Sequence, residues 1–121
     1  MTTQEVAKRL VELCEKGEFL KAIDELYAKD IVSIEPFPMN GESCETKGFD
    51  GVHAKSVAFM SAHEFHGGKT TGPYIAADRF IVRFDLDVTN KKSNQRMQMS
   101  EAGLYFVEGG KVVREEFFFG V

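Results

Sequence analysis

With 121 residues, 43% of them hydrophobic and 11 of them phenylalanine, the chain has the size and apolar content for one domain, residues 1–121, around one core. Its net charge is −4, and lysine and arginine are scattered along the sequence, which excludes the basic stripe that nucleic-acid-binding proteins use to neutralise phosphates. Charges recur throughout the N-terminal segment and no apolar run approaches the ~20 residues of a membrane helix, so we expect a cytoplasmic protein that has no signal peptide and no membrane partner.

Two helices are predicted at the N-terminus. Thr2 and Glu5 have the spacing of a capping box, and apolar residues then recur at helical spacing until Gly17. A second amphipathic pattern over residues 18–28 follows directly. We therefore expect two short helices joined by a tight glycine turn.

One strand and one further helix follow. Residues 31–35 alternate with β-branched side chains, and Pro36 closes this strand because proline cannot donate to a ladder of hydrogen bonds. Residues 37–48 have no period and predict a loop. Asp50 is placed to cap a third helix, which the glycine pair at 67–68 would end at the latest.

The second half of the chain has a period of two, which predicts strands. The expected strands cover residues 70–77, 80–89, 95–107 and 111–119, with turns at 90–94 and 108–110. The order helix, helix, strand, helix and four antiparallel strands predicts an α+β domain in which the helices cover one face of a curved sheet. Arg83, Asp85 and Asp87 would be costly inside, so their face is assigned to the outside of the sheet.

Four residues are candidates for chemistry in a pocket. Glu35 lies opposite in pleat to Val32 and Ile34, and its carboxylate therefore faces either water or the interior. Only one of the neighbours Glu115 and Glu116 can point inward, and the other would pair on the surface. The remaining two candidates are Glu101, which shares a face with Met99 and Tyr105 unless a β-bulge intervenes, and His66, which stands at the entry to the sheet and has a reference pKa near neutrality.

Metal and thiol sites are not expected. The run His63-Glu64-Phe65-His66 is one residue short of the HExxH zinc motif, and its two histidines straddle a predicted helix end. Cys14 and Cys44 lack a CxxC spacing and are predicted to be free thiols.

The element order, together with the closing hairpin EAGLYFVEGGKVVREEFFFG, resembles the nuclear transport factor 2-like superfamily, and within it the SnoaL-like group. The segments YAKDIVSIEP and GFDGVHAK also resemble the strand after helix two and the start of helix three in this superfamily. The resemblance implies a cone or half-barrel in which a curved antiparallel sheet wraps around three helices. It also implies a cavity for a small organic ligand, no cofactor, and a homodimer formed through the outer sheet face, with Tyr105, Phe118 and Met99 at the centre of the contact.

Comparison with ketosteroid isomerase, a member of this superfamily, implies roles for two glutamates. Glu35 stands where that enzyme has its carboxylate base, also before a proline, and the same register turns Glu115 inward as a second carboxylate. Leu10 and Ala102 stand at the positions of its Tyr and Asp oxyanion donors, and Phe117 stands where a SnoaL-type catalytic Asp is expected, so these groups do not carry over. The function expected is a cofactor-independent isomerase or cyclase with a carboxylate base; the alternative is a non-catalytic ligand-binding or dimeric interaction module.

Overall fold

The computed structural model describes residues 1–38 and 43–120 and confirms the predicted α+β architecture. The helices are α1 (Thr3–Glu15), α2 (Phe19–Leu26) and α3 (Phe49–Ala62). The strands are β1 (Tyr27–Ile34), β2 (Glu45–Lys47), β3 (His63–Ala76), β4 (Arg79–Asn90), β5 (Gln95–Glu108) and β6 (Lys111–Phe118). None of the helices in the described ranges is long and apolar enough to cross a membrane.

Helix α1 begins and ends as the sequence predicts. The Thr2 hydroxyl accepts a hydrogen bond from the Glu5 backbone amide, and the Glu5 carboxylate accepts one from the Thr2 amide, which completes the capping box. Gly17 follows the helix with a φ of 75°, a left-handed conformation that glycine adopts without steric cost. The chain can therefore reverse immediately into α2.

The six strands form one sheet in the order β2-β1-β6-β5-β4-β3. All neighbouring pairs are antiparallel except β1 and β6, which run parallel. This parallel pair places the N-terminal strand beside the last strand of the chain, with Ser33 opposite Glu115. Residues distant in sequence are thereby brought together at the centre of the sheet.

The elements differ from the prediction at four places along the chain. Helix α2 ends at Leu26 and β1 begins at Tyr27, because Tyr27 already pairs with Val112 of β6. Residues 45–47 of the predicted loop form β2 on the edge of β1, while residues 39–42 lie outside the described ranges. Gly48, not Asp50, is the N-cap of α3. Strand β3 begins seven residues early, at His63, because β4 extends to Asn90 and pairs with it there.

The core lies between the helices and the inner face of the sheet. Its fully buried members include Leu10 and Leu13 of α1, Leu26 of α2, Ile31 of β1 and Phe80 of β4. Burial of such side chains is the main contribution to the stability of a domain of this size. The same packing holds the helices at the distance from the sheet that defines the cavity described below.

The outer sheet face is polar, as predicted, but two residues assigned to it lie inside. Arg83 pairs with Asp85 at 3.1 Å on this outer face. Tyr105, in contrast, is 2% exposed and stacks on Phe80, and Met99 lines the interior cavity. The reason is the register of β4 and β5: Tyr105 pairs with Phe80 and Met99 with Leu86, and directly paired residues share a face.

Candidate functional site

A cavity of about 440 Å³ lies between the three helices and the inner face of the sheet. This volume falls in the range of small-molecule sites. Most of its wall is apolar and includes the aromatic rings of Phe19, Phe59, Phe65, Phe84, Phe117 and Phe119. The polar groups on the wall are those of Cys14, Tyr27, Glu35, Lys55, Ser56, Glu101, Tyr105 and Glu115.

Glu35 faces this cavity. Of the two orientations that the sequence allowed, toward water or toward the interior, the structure has the second. It follows β1 directly, and its side chain is 14% exposed. Its carboxylate accepts a hydrogen bond from Lys55 Nζ of α3 at 2.7 Å, which makes a largely buried ion pair. The Glu35 carboxylate is therefore already engaged by an ammonium group.

Glu115 also points inward, and Glu116 pairs with Arg114 instead at 2.8 Å. Glu115 is 2% exposed, and its carboxylate accepts hydrogen bonds from the hydroxyl groups of Tyr27 and Ser33. The pKa of Glu115 is raised above its usual range, mainly because the carboxyl group is buried. The two hydrogen bonds act in the opposite direction and lower it. The carboxyl group of Glu115 is thus held in place by its neighbours on β1.

Ser33 connects the two glutamates. Its hydroxyl donates to Glu115 at 2.7 Å and accepts from Lys55 Nζ at 2.6 Å. Hydrogen bonds therefore run from Lys55 through Ser33 to Glu115, and Lys55 also donates to Glu35. This network fixes the position of the one ammonium group on the described cavity wall.

Glu101 is the third carboxyl group in the cavity. Unlike Glu35 and Glu115, it accepts no hydrogen bond from a side chain among the described residues. It is placed inward by its pairing with Phe84 of β4, so no bulge is needed. Burial, and then the nearby carboxylates of Glu35 and Glu115, raise its pKa to about 7, while Lys55 acts in the opposite direction. A carboxyl group with a pKa near neutral can accept and return a proton at physiological pH.

The structure does not bring His66 to the cavity. This residue lies where the register between β3 and β4 shifts, and its side chain is exposed and bonds to Thr89 Oγ1 at 2.6 Å. Phe65, its neighbour, lines the cavity in its place. His66 is therefore not positioned to exchange a proton with a bound ligand.

Among the described residues, no cluster of three or more His, Cys, Asp or Glu side chains has a geometry that would hold a metal ion. Both cysteines are free, and burial raises the pKa of Cys14 to about 12. The Cys14 thiol on the cavity wall therefore stays protonated at neutral pH.

The sequence prediction missed Lys55, Ser33 and Tyr27. A signal existed for Lys55, which lies three residues after Val52 and four before Phe59 and so shares a side of α3 with both. Ser33 shares the face of Glu35 in β1, so it follows once Glu35 is placed inward. Tyr27 had no such signal because it was assigned to a helix.

Comparison with known proteins identifies a family and solved structures that this chain resembles. The family model for the SnoaL-like domain matches residues 1–119. No curated protein sequence matches the chain. Among solved structures, a protein from Mesorhizobium loti named as a candidate SnoaL-like polyketide cyclase is 39% identical with a TM-score of 0.90, and the match covers 98% of this chain and 100% of that one.

Two more distant structures share the fold. One is a candidate isomerase from Bacillus subtilis, 16% identical with a TM-score of 0.76, where the match covers 99% of this chain and 90% of the other. The second is a protein from Catenulispora acidiphila with a ketosteroid isomerase-like fold, in complex with trimethylamine. It is 16% identical with a TM-score of 0.73, over 99% of this chain and 88% of the other.

Proposed function

The chain belongs to the SnoaL-like domain family, and we propose that it binds a small organic molecule in its cavity and catalyses a cofactor-independent proton transfer on it. The observation that carries the proposal is the Glu101 carboxyl group, which faces an aromatic-walled cavity with a pKa of about 7. The names of the relatives, a candidate polyketide cyclase and a candidate isomerase, are consistent with chemistry of this kind.

In the proposed reaction Glu101 is the general base. It removes a proton from a carbon next to a carbonyl group, so that a C–H bond breaks, an O–H bond forms on Glu101, and the electron pair moves to the carbonyl oxygen. In an isomerisation the proton then returns from Glu101 to a different carbon. In a cyclisation the enolate carbon attacks a second carbonyl group, and the oxygen of that group takes the proton back from Glu101. Glu35, which the sequence favoured as the base, would instead hold Lys55.

Lys55 would stabilise the negative oxygen of the intermediate. An ammonium group has three N–H donors, and Lys55 uses two of them for Glu35 and Ser33. The third remains for a substrate oxygen, and the attraction of a positive charge there is stronger than in water because the site is largely buried. Lys55 thus supplies the oxyanion donor that Leu10 and Ala102 do not.

The proposal predicts exchange of carbon-bound protons. In D₂O the wild-type protein is expected to accelerate deuterium incorporation next to the carbonyl of α-tetralone, a bicyclic aromatic ketone, as followed by NMR. Because a base acts only when ionised, the rate should rise with pH through about 7 and then level off. Binding of α-tetralone with no acceleration at any pH would reject catalysis and support the alternative, a non-catalytic binding module.

A homodimer through the outer sheet face stays a prediction, with a changed set of contacts. Tyr105 and Met99 are no longer available, but Ile81 and Phe118 are 43% and 55% exposed on that side of the sheet. Sedimentation equilibrium should then show a dimer that the double variant Ile81→Lys, Phe118→Lys converts to monomer. A wild-type protein that sediments as a monomer at all concentrations would reject it.

A further inference from the structure

This inference rests on the proposed function and names the class of ligand: we propose that the cavity selects uncharged molecules and rejects organic anions. The charged groups on the described wall are the carboxyl groups of Glu35, Glu101 and Glu115 and the ammonium group of Lys55. Carboxyl groups therefore outnumber cations by three to one. Above about pH 7, where Glu101 is ionised, a ligand carboxylate would enter a site whose charge is already negative.

The ammonium group of Lys55 does not make the cavity attractive to anions. Lys55 is 2.7 Å from the Glu35 carboxylate, and its positive charge is compensated before any ligand arrives. Its remaining N–H is sufficient for a neutral carbonyl oxygen, which needs a donor but no counter-charge. A carboxylate in the same place would have to compete with Glu35 for the ammonium group.

Glu101 adds to the repulsion because it has no cationic partner within hydrogen-bond distance among the residues described. At pH 8 it is ionised, since its pKa is about 7. The other titratable groups on the described wall belong to α1, α3, β1 and the residue after it, β5 and β6; they are Cys14, Lys55, Tyr27, Glu35, Tyr105 and Glu115. Lys55 is the one cation among them.

The rest of the wall favours an uncharged, ring-shaped body. Six phenylalanine rings enclose the space, and an ion that leaves water for such surroundings incurs a desolvation cost that only a partner of opposite charge can offset. The one opposite charge on the described wall, that of Lys55, is already paired with Glu35. A flat carbonyl compound satisfies both the aromatic wall and the free N–H of Lys55.

The test compares two ligands of similar shape, α-tetralone and α-naphthoate, by isothermal titration in H₂O at pH 6 and pH 8. At pH 8 the naphthoate is expected to bind at least about tenfold more weakly than the ketone. At pH 6 the ratio should shrink, because Glu101 is then mostly protonated while the naphthoate stays ionised. The variant Glu101→Gln should show the smaller ratio at both pH values.

The matched control is Glu64→Gln, an exposed glutamate on β3 that should bind like the wild type. The proposal is overturned if naphthoate binds as tightly as the ketone at pH 8, if neither compound binds, or if Glu101→Gln leaves the pH 8 ratio unchanged. Binding ratios are independent of turnover. A protein that shows the expected ratio but no deuterium exchange would retain the ligand class and lose the proposed reaction.

Discussion

Replacing Glu101 with glutamine is expected to slow the exchange of α-tetralone by about 10²–10⁴-fold, the usual contribution of a general base. The same change should raise the free energy of unfolding at pH 8 by about 3 kcal/mol, because the pKa is raised from 4.5 to about 7 and each pH unit corresponds to ~1.4 kcal/mol. Activity falls because the amide cannot accept the proton. Stability rises because the fold no longer buries an ionised carboxylate.

The sign of the stability change depends on pH in a defined way. The pKa of Glu101 is about 7 in the folded protein, against 4.5 for a glutamate in water, so the folded state holds the proton more tightly than the unfolded chain does. The stability that this provides is complete below about pH 4.5 and is lost as the pH rises through 7. The advantage of Glu101→Gln should therefore be nearly zero at pH 4.5 and full at pH 8. Glu115, whose pKa is raised in the same direction, is present in both proteins.

Urea denaturation at pH 4.5 and pH 8 measures this effect. The control Glu64→Gln makes the same chemical change at an exposed position and should alter neither stability nor exchange. A gain of equal size at both pH values would show that the pKa of Glu101 is not raised. Exchange that is unaffected by the variant would exclude Glu101 as the base.

Much of the fold could be predicted because local signals agreed with the final structure. The capping box at Thr2 and the turn at Gly17 depend on interactions within a few residues, and both are found as predicted. The start of β1 could not be predicted, because Tyr27 leaves the helix to pair with β6, some 85 residues further along the chain. A pairing partner so distant in the sequence cannot be identified from a local pattern of residues.

The candidate site could be predicted only in part, for a related reason. Alternation correctly grouped Met99, Glu101 and Tyr105 on one face of β5, but alternation alone cannot decide which face is buried. The pairing of β5 with β4 decides it: Phe80 and Phe84 are core residues, and their partners Tyr105 and Glu101 must follow them inward. Glu101, one of the four sequence candidates, becomes the central one in this way.

Replacing Lys55 with methionine is expected to destabilise the protein by about 3 kcal/mol at pH 8, the lower end of the cost of breaking a buried ion pair. The Glu35 carboxylate, 14% exposed, would lose its 2.7 Å partner, and Ser33 would lose the donor at 2.6 Å. Lys55 Nζ also lies 5.7 Å from the centre of the Phe117 ring, a contact that methionine retains only in part.

The double variant Lys55→Met, Glu35→Gln separates charge from packing. If the cost arises from an unpaired carboxylate, neutralising Glu35 should recover most of the lost stability. Lys92→Met, which removes an exposed lysine from the turn after β4, is the matched control and should remain within about 0.5 kcal/mol of the wild type. A double variant no more stable than Lys55→Met alone would show that the ion pair is not what this lysine contributes.

Exchange kinetics of Lys55→Met test its second role. Lys55 lowers the pKa of Glu101, so its removal should move the midpoint of the pH–rate profile above 7, since the base then needs a higher pH to ionise. The plateau should also fall by about 10²–10³-fold, because the negative oxygen of the intermediate loses its donor. The double variant should regain stability without regaining this rate. A shifted midpoint with an unchanged plateau would mean that Lys55 tunes the base but does not contact the substrate oxygen.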